Sequence, residues 1–356
     1  MGRKAVLALV AVLTVCLGVV LFLPRPAGTQ AGHEQDDVQA DACGNVRSGE
    51  IAPAARSLPA SGGPAPAGLP PISGERPALG IATEGGFGSP AQWDEAARAL
   101  GESPSLIMAY SDFTAPLPVA GLEAVAARGA TPVLTWEPWE PAAGPGQTRF
   151  ALAGIAAGHH DAYLQQWAAS MRSYGRPVLL RFAHEMNSPW YPWGAGTNGN
   201  TPADYVAAWR HVHGLFDAAG VDNVSWVWNP EAPDCDSRPL AAFYPGHDYV
   251  DVVGLDGYNW GTSRENETWR TPEEIFAEGL HQLRRLAPGS PVLIGETAST
   301  DEGGSKPAWT EELVEYLAAQ PDVQAFVWFD HDKESDWRFA SSDASREALR
   351  AALASR

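Results

Sequence analysis

The chain has 356 residues, with 43 Asp and Glu against 24 Lys and Arg, for a net charge of −19. That balance repels phosphate backbones and anionic lipid surfaces alike, so nucleic acid is not an expected partner. At 45% hydrophobic content the chain can build one barrel-sized core, which takes roughly 250 residues, and still leave a tail. Fourteen Trp are a heavy load for packing alone, because indole is large and its N–H needs a partner.

Residues 1–31 read as a signal peptide or an N-terminal membrane anchor. Arg3 and Lys4 form a basic start, and 5–23 is an unbroken apolar and small-residue stretch. Its length also suits a membrane span, so the expected location is extracellular, either free or held on the outer face of the membrane. Any membrane attachment is expected through this segment only. Residues 32–74 are rich in Pro, Ala and Gly without apolar periodicity, as in Pro59-Ala60-Ser61-Gly62-Gly63-Pro64, and read as a linker. Without the leader, Cys43 and Cys235 remain, an even count compatible with one disulfide in an oxidising compartment.

From 75 to 356 short apolar runs alternate with amphipathic segments, the pattern of a parallel sheet buried on both faces. The predicted strands are 78–82, 106–110, 131–136, 178–182, 224–228, 250–255, 291–294 and 324–329. Between them lie predicted helices at 90–100, 119–128, 161–174, 203–219, 272–286, 309–319 and 344–354, with a short connection at 238–244. Eight strand–helix units fit a single (β/α)8 barrel, an α/β fold, better than an open doubly wound sheet. Neither G-x-G-x-x-G nor G-x-x-x-x-G-K occurs, so no nucleotide cofactor is expected.

In such barrels the reacting groups stand at the C-terminal ends of the strands. Here those positions read Trp136-Glu137-Pro138-Trp139, His184-Glu185-Met186-Asn187, Trp228-Asn229-Pro230-Glu231, Asp256-Gly257-Tyr258, Gly295-Glu296-Thr297 and Trp328-Phe329-Asp330. Carboxylates, amides and indoles in one ring suit a sugar, whose hydroxyls need hydrogen bonds and whose apolar faces need flat aromatic surfaces. Glycoside cleavage needs one protonated and one ionised carboxyl across the scissile bond. Glu185 and Glu296, each directly after a strongly apolar run, are the expected pair.

His184-Glu185-Met186-Asn187 followed by Trp190-Tyr191-Pro192-Trp193 resembles the fourth-strand motif of glycoside hydrolase family 26, and Leu293-Ile294-Gly295-Glu296 resembles its seventh-strand end. The resemblance runs from about Leu79 to the C-terminus. It implies a retaining barrel glycosidase with Glu185 as general acid/base and Glu296 as nucleophile. It further implies substrate contacts from His184, Asn187, Trp190, Trp193 and Trp136, with Tyr258 bonding the nucleophile and Trp328 as a platform beneath the sugar. β-1,4-Mannan is the first implied polymer and mixed-linkage β-glucan the second: Ser188-Pro189 stands where mannan-cleaving members commonly have Gly, and Trp190-Tyr191-Pro192-Trp193 also resembles members that cut mixed-linkage β-glucans. The protein is expected to act as a monomer on a polysaccharide, without metal or organic cofactor.

Two other classes compete. Gly158-His159-His160, His211-Val212-His213 and Asp330-His331-Asp332 offer potential metal ligands, but His211 and His213 sit two apart in a predicted helix and cannot share a face. A carbohydrate-binding barrel without catalysis would use the same aromatics, yet it needs no paired glutamates.

Overall fold

The computed structural model describes residues 77–234 and 237–356. The expectations for 1–31 and 32–74, and for a disulfide between Cys43 and Cys235, fall outside the described residues. Eight parallel strands close in sequence order into a barrel: β1 (Ala78–Thr83), β2 (Leu106–Asp112), β3 (Thr131–Glu137), β4 (Val178–Phe182), β5 (Val224–Trp228), β6 (Val252–Asn259), β7 (Val292–Ser299) and β8 (Val323–Asp330). The helices are α1 (Pro90–Leu100), α2 (Val119–Ala126), α3 (Leu152–Ala156), α4 (Asp161–Tyr174), α5 (Pro202–Ala218), α6 (Pro272–Leu286), α7 (Lys306–Ala318) and α8 (Asp343–Ser355). Between β5 and β6 two 3-10 turns, Leu240–Phe243 and His247–Tyr249, stand in place of a long helix, as the short connection in the sequence implied.

Local chemistry accounts for the helix ends. Pro90, Pro202 and Pro272 occupy first-turn positions, where the missing N–H costs nothing. Thr201 with Asp204, and Thr271 with Glu274, form reciprocal capping boxes that satisfy the first free donors of α5 and α6. Gly175 ends α4 at φ 66°, a left-handed conformation that a side chain would oppose.

Strands β6 and β7 continue past the apolar runs, through Tyr258 and Glu296, so these two residues lie within strands rather than after them. Polar character does not end a strand here because the backbone pairing carries on, with Tyr258 opposite Ala298 and Asn259 opposite Ser299. The β6–β7 register slips between Leu255 and Asp256, so that Asp256 pairs with Glu296 and Gly295 is the extra residue. Such bulges re-aim side chains near active sites. A Cβ on Gly295 would lie 2.1 Å from Asn229 Oδ1 and 2.6 Å from Asp256 Oδ1, so only glycine fits between them.

The core separates several tryptophans from the sugar-binding role expected of them. Trp136 is fully buried and stacks on Trp167 of α4, ring centroids 4.2 Å apart at 15°. It fills the β3–α4 interface, and the expectation that it touches substrate is corrected: its strand directs it outward to the helix layer. Truncating a buried Trp removes transfer free energy and leaves a cavity. Trp136→Ala is therefore expected to lower stability by about 3–5 kcal/mol in urea denaturation. A role in substrate binding would instead leave stability near wild type and raise KM.

Candidate active site

A cleft of about 450 Å³ opens at the C-terminal ends of the strands, and Glu185, Glu296, Glu137, Glu231, Tyr110 and Tyr258 are among its lining residues. Its floor is an electrostatic knot around Arg181, the one charged residue of β4. The fully buried guanidinium donates from Nη1 to Asp256 Oδ2 at 2.7 Å, from Nε to Thr135 Oγ1 at 2.9 Å, and from Nη2 to Glu296 Oε1. Glu296 also accepts from Tyr110 Oη at 2.8 Å on Oε1 and from Tyr258 Oη at 2.5 Å on Oε2.

Burial alone would raise the pKa of Glu296; the charge of Arg181 and the hydrogen bonds from Tyr258 and Arg181 overcome this and lower it to about 2. Burial pushes Asp256 well above the usual carboxylate range despite Arg181. The single guanidinium charge is thus matched chiefly by Glu296, which stays ionised. His184, Asp256 and Glu296 bring potential ligand atoms within 4.8 Å of one another. Arg181 already bonds both carboxylates there, and a cation on these ligands would have to displace it.

Glu185 is held differently. The chain leaves β4 through Ala183 at φ 44° and Glu185 at φ 50°, two non-glycine residues in the left-handed region. Conformations of this kind cost roughly 1–3 kcal/mol each and persist only where surroundings impose them. Here Ala183 N–H donates to Trp136 O at 3.0 Å and Glu185 N–H to Asn229 O at 2.8 Å, fixing the turn to both neighbouring strands. The residue is 7% exposed. Burial, then repulsion from Glu231 and Glu296, holds its pKa well above the ordinary value, with Arg181 opposing. One cleft therefore holds a carboxyl that favours its proton and one that has lost it.

The other expected site residues divide into two groups. Trp190, 50% exposed, and Tyr258 line the cleft. Behind them, His184 is wholly buried with Nε2 3.8 Å from Glu296 Oε1; burial and then Arg181 hold its pKa well below the usual imidazole range, so it is neutral. Asn187 braces the backbone of Glu231, donating to its carbonyl and accepting from its N–H, both at 2.9 Å. The substrate-contact expectation is corrected for Trp193 and Trp328, both completely enclosed. Trp193 lies flat beneath Tyr191, centroids 4.4 Å apart at 5°, and it is Tyr191 that reaches the cleft. Trp328 donates to Trp337 O at 2.9 Å, while Phe329 and Trp337 form the strand-eight wall. Alternation along β8 turns Trp328 and Phe329 to opposite faces, and the inward position falls one residue later than the sequence suggested.

Arg181, Tyr110, Glu137 and Glu231 were not assigned from sequence. Arg181 carried a readable signal, since a cation inside a strand buried on both faces demands carboxylate partners. Burial, against the Trp139 indole donating at 3.1 Å, raises Glu137 to about 7. Of the histidines weighed as ligands, His211 Nε2 pairs with Asp161 Oδ1 at 2.7 Å and His213 with Asp217 at 3.3 Å, both away from the cleft-lining residues.

Removing Arg181 would leave two buried carboxyls without their cation, and breaking such a pair costs about 3–5 kcal/mol. Arg181→Met is expected to lower stability on that scale and to raise the pKa of Glu296, read by NMR titration of the carboxyl carbon. An unchanged Glu296 titration would show that Arg181 does not set its ionisation.

The comparisons with known proteins agree with this geometry. The model of Glycosyl hydrolase family 26 matches residues 125–299, which run through β3 to β7 and include both glutamates. Endoglucanase H of Acetivibrio thermocellus is 36% identical over 251 residues, covering 68% of this chain and 26% of that protein. A mannan endo-1,4-beta-mannosidase of Bacillus subtilis strain 168 is 35% identical over 94 residues, 25% of each chain. The chain thus spans about a quarter of the length of either relative. Among solved structures, a GH26 beta-mannanase from Bacteroides ovatus superposes with a TM-score of 0.57 over 78% of this chain and 88% of that one, at 16% identity, a likeness of fold. With the eight-stranded barrel, the fourth-strand motif and a matching family model that brackets both cleft glutamates, the chain belongs to glycoside hydrolase family 26.

Proposed function

We propose that this protein is a retaining endo-β-glycanase in which Glu185 is the general acid/base and Glu296 the nucleophile. The observation that carries the reading is the opposed protonation of two carboxyls in one cleft: Glu185 pushed up, Glu296 held at about 2. Pairs of titratable groups whose surroundings drive them apart divide the acid and base roles between them.

In the first step Glu296 attacks the anomeric carbon while Glu185 passes its proton to the leaving oxygen, giving a covalent glycosyl-enzyme. In the second, Glu185, now ionised, takes a proton from water, whose oxygen displaces Glu296 and restores both carboxyls. Tyr258 and Tyr110 hold the two oxygens of Glu296, which fixes the direction of attack. His184, neutral beside Glu296, adds no second cation that would over-stabilise the ionised form.

A β-1,4-linked glucan, including mixed-linkage glucan, is the first substrate proposed and β-mannan the second. This reverses the order implied by the sequence motif. The alignment with an endoglucanase covers 68% of the chain, whereas that with a mannosidase covers 25%. Export through residues 1–31 is proposed from the basic start and apolar run, since a polymer of this kind lies outside the cell.

Three outcomes are expected. Purified protein releases new reducing ends from a β-glucan or a β-mannan, and the first-formed product keeps the β-anomer by proton NMR; an α-anomeric product overturns the double displacement. Glu296→Ala loses turnover on all substrates, while Glu185→Ala keeps activity on aryl glycosides whose leaving group needs no protonation. Finally, polymer cleavage needs Glu185 protonated and Glu296 ionised. The kcat/KM profile should therefore hold from about pH 2 upward and fall only when pH passes the raised pKa of Glu185. An activated substrate, whose leaving group needs no proton, should not show that alkaline limb.

A further inference from the structure

We infer that Lys306 is a positioning residue, whose buried ammonium pins the loop after β8 and thereby holds the strand-eight wall of the cleft. The inference rests on the proposed reading of that cleft as the place where polymer binds.

Lys306 stands where two physical effects oppose it. It is completely enclosed, and it opens α7, where the helix dipole disfavours a positive charge. A buried cation is ordinarily matched by a carboxylate in direct contact. Here Nζ instead donates to the main-chain carbonyl of Asp336 at 2.7 Å, while Asp301, Asp330 and Asp336 supply a surrounding negative field. An apolar side chain of the same length would fill the space without the desolvation of a charge. What the ammonium adds is a charge-assisted hydrogen bond to one carbonyl, of the stronger kind.

That carbonyl belongs to the loop that brings His331, Lys333, Glu334 and Trp337 to the cleft. The loop folds back on itself: Asp332 pairs with Asp336, Trp337 N–H donates to His331 O at 2.9 Å, and Arg338 bridges Asp332 and Asp336. Those bonds give the loop its shape without tying it to the barrel. Attachment comes at three consecutive residues. Ser335 Oγ donates to Thr300 Oγ1 at 2.9 Å, Lys306 takes the carbonyl of Asp336, and Trp328 Nε1 donates to Trp337 O at 2.9 Å. Trp337 follows directly on the residue that Lys306 holds, and its ring meets Trp260 at 4.6 Å and Tyr258 at 5.1 Å between centroids. A loop released from Lys306 would carry that ring away from its neighbours.

Fluorine NMR of protein labelled with fluorotryptophan reads the wall directly, with lines assigned by Trp337→Phe and Trp167→Phe. Lys306→Met keeps the chain length and removes the charge. It is expected to shift or broaden the Trp337 line, to leave that of Trp167 in place, and to raise KM for the polymer about fivefold with kcat changed less than about twofold. Lys306→Gln, polar but one atom shorter, should do the same, and serves if the methionine variant does not fold.

The wild type supplies an independent check. Burial lowers the pKa of Lys306 to about 8, against Asp301, Asp336 and Asp330, with Arg338 adding to the fall. The ammonium is present below that pH and lost above it. The Trp337 line should therefore move toward its Lys306→Met position as pH rises through about 8, and stay still in the variant. Asp330, raised to about 6, and His331, lowered by burial, finish titrating at lower pH.

A Trp337 line unmoved in Lys306→Met overturns the inference, as does a displaced line with KM unchanged. Shifts that reach Trp167 equally would make Lys306 a general core residue and overturn it too. A wild type that cleaves no polymer defeats the proposed function, and the spectra then decide alone whether Lys306 holds the wall.

Discussion

The site depends on one buried cation. Arg181 sits where a strand of the barrel would otherwise carry an apolar side chain, and its charge allows Asp256 and Glu296 to share the barrel mouth. An isolated buried ion is costly, and attraction offsets that cost only when geometry and further hydrogen bonds are good. Here Thr135 takes the guanidinium's remaining direction, while Tyr110 and Tyr258 complete the coordination of Glu296. The register slip at Leu255 and Asp256, and the glycine beside Glu296, follow from the same need, for they bring the two carboxyls to the face that Arg181 reaches.

Around that knot the aromatic residues separate into two layers. The inner one is structural: Trp136 on Trp167, Trp193 beneath Tyr191, Trp328 bonded to the carbonyl of Trp337. The outer one faces the cleft and includes Tyr191, Trp190, Phe329 and Trp337 with Tyr258. Tyr191 rests on Trp193, Phe329 stacks on His331 and Tyr258 is held by its hydrogen bond to Glu296, so this part of the cleft wall is shaped before any sugar arrives. Pre-organisation of this kind limits the side-chain entropy lost on binding.

Much of this was legible in the sequence. The strand runs 178–182 and 224–228 and the helices 90–100, 161–174 and 272–286 coincide with the observed elements, because apolar period, Pro and capping residues all point the same way there. Both glutamates were readable from their position after apolar runs. What could not be read was direction. Trp328 and Phe329 differ only in which face of one strand they occupy, and a shift of one residue exchanges core for cleft. The bulge that pairs Asp256 with Glu296 carries no compositional mark beyond a glycine. Tyr110 was hidden in the same way, as an ordinary aromatic in a strand whose partner lies 186 positions away.

The turn carrying Glu185 has a consequence for how such a protein changes over time. Two departures into the left-handed region, at Ala183 and Glu185 on either side of His184, store conformational energy beside the chemistry. Selection for thermal stability alone would reward any substitution that let this segment relax, since natural chains sit near a stability threshold and gains are easily found. The same relaxation would swing the carboxyl away from its neighbours and out of the environment that keeps its proton. Heat tolerance in this barrel is therefore best sought at the bottom of the strands and in the helix layer, far from the one loop whose discomfort is useful.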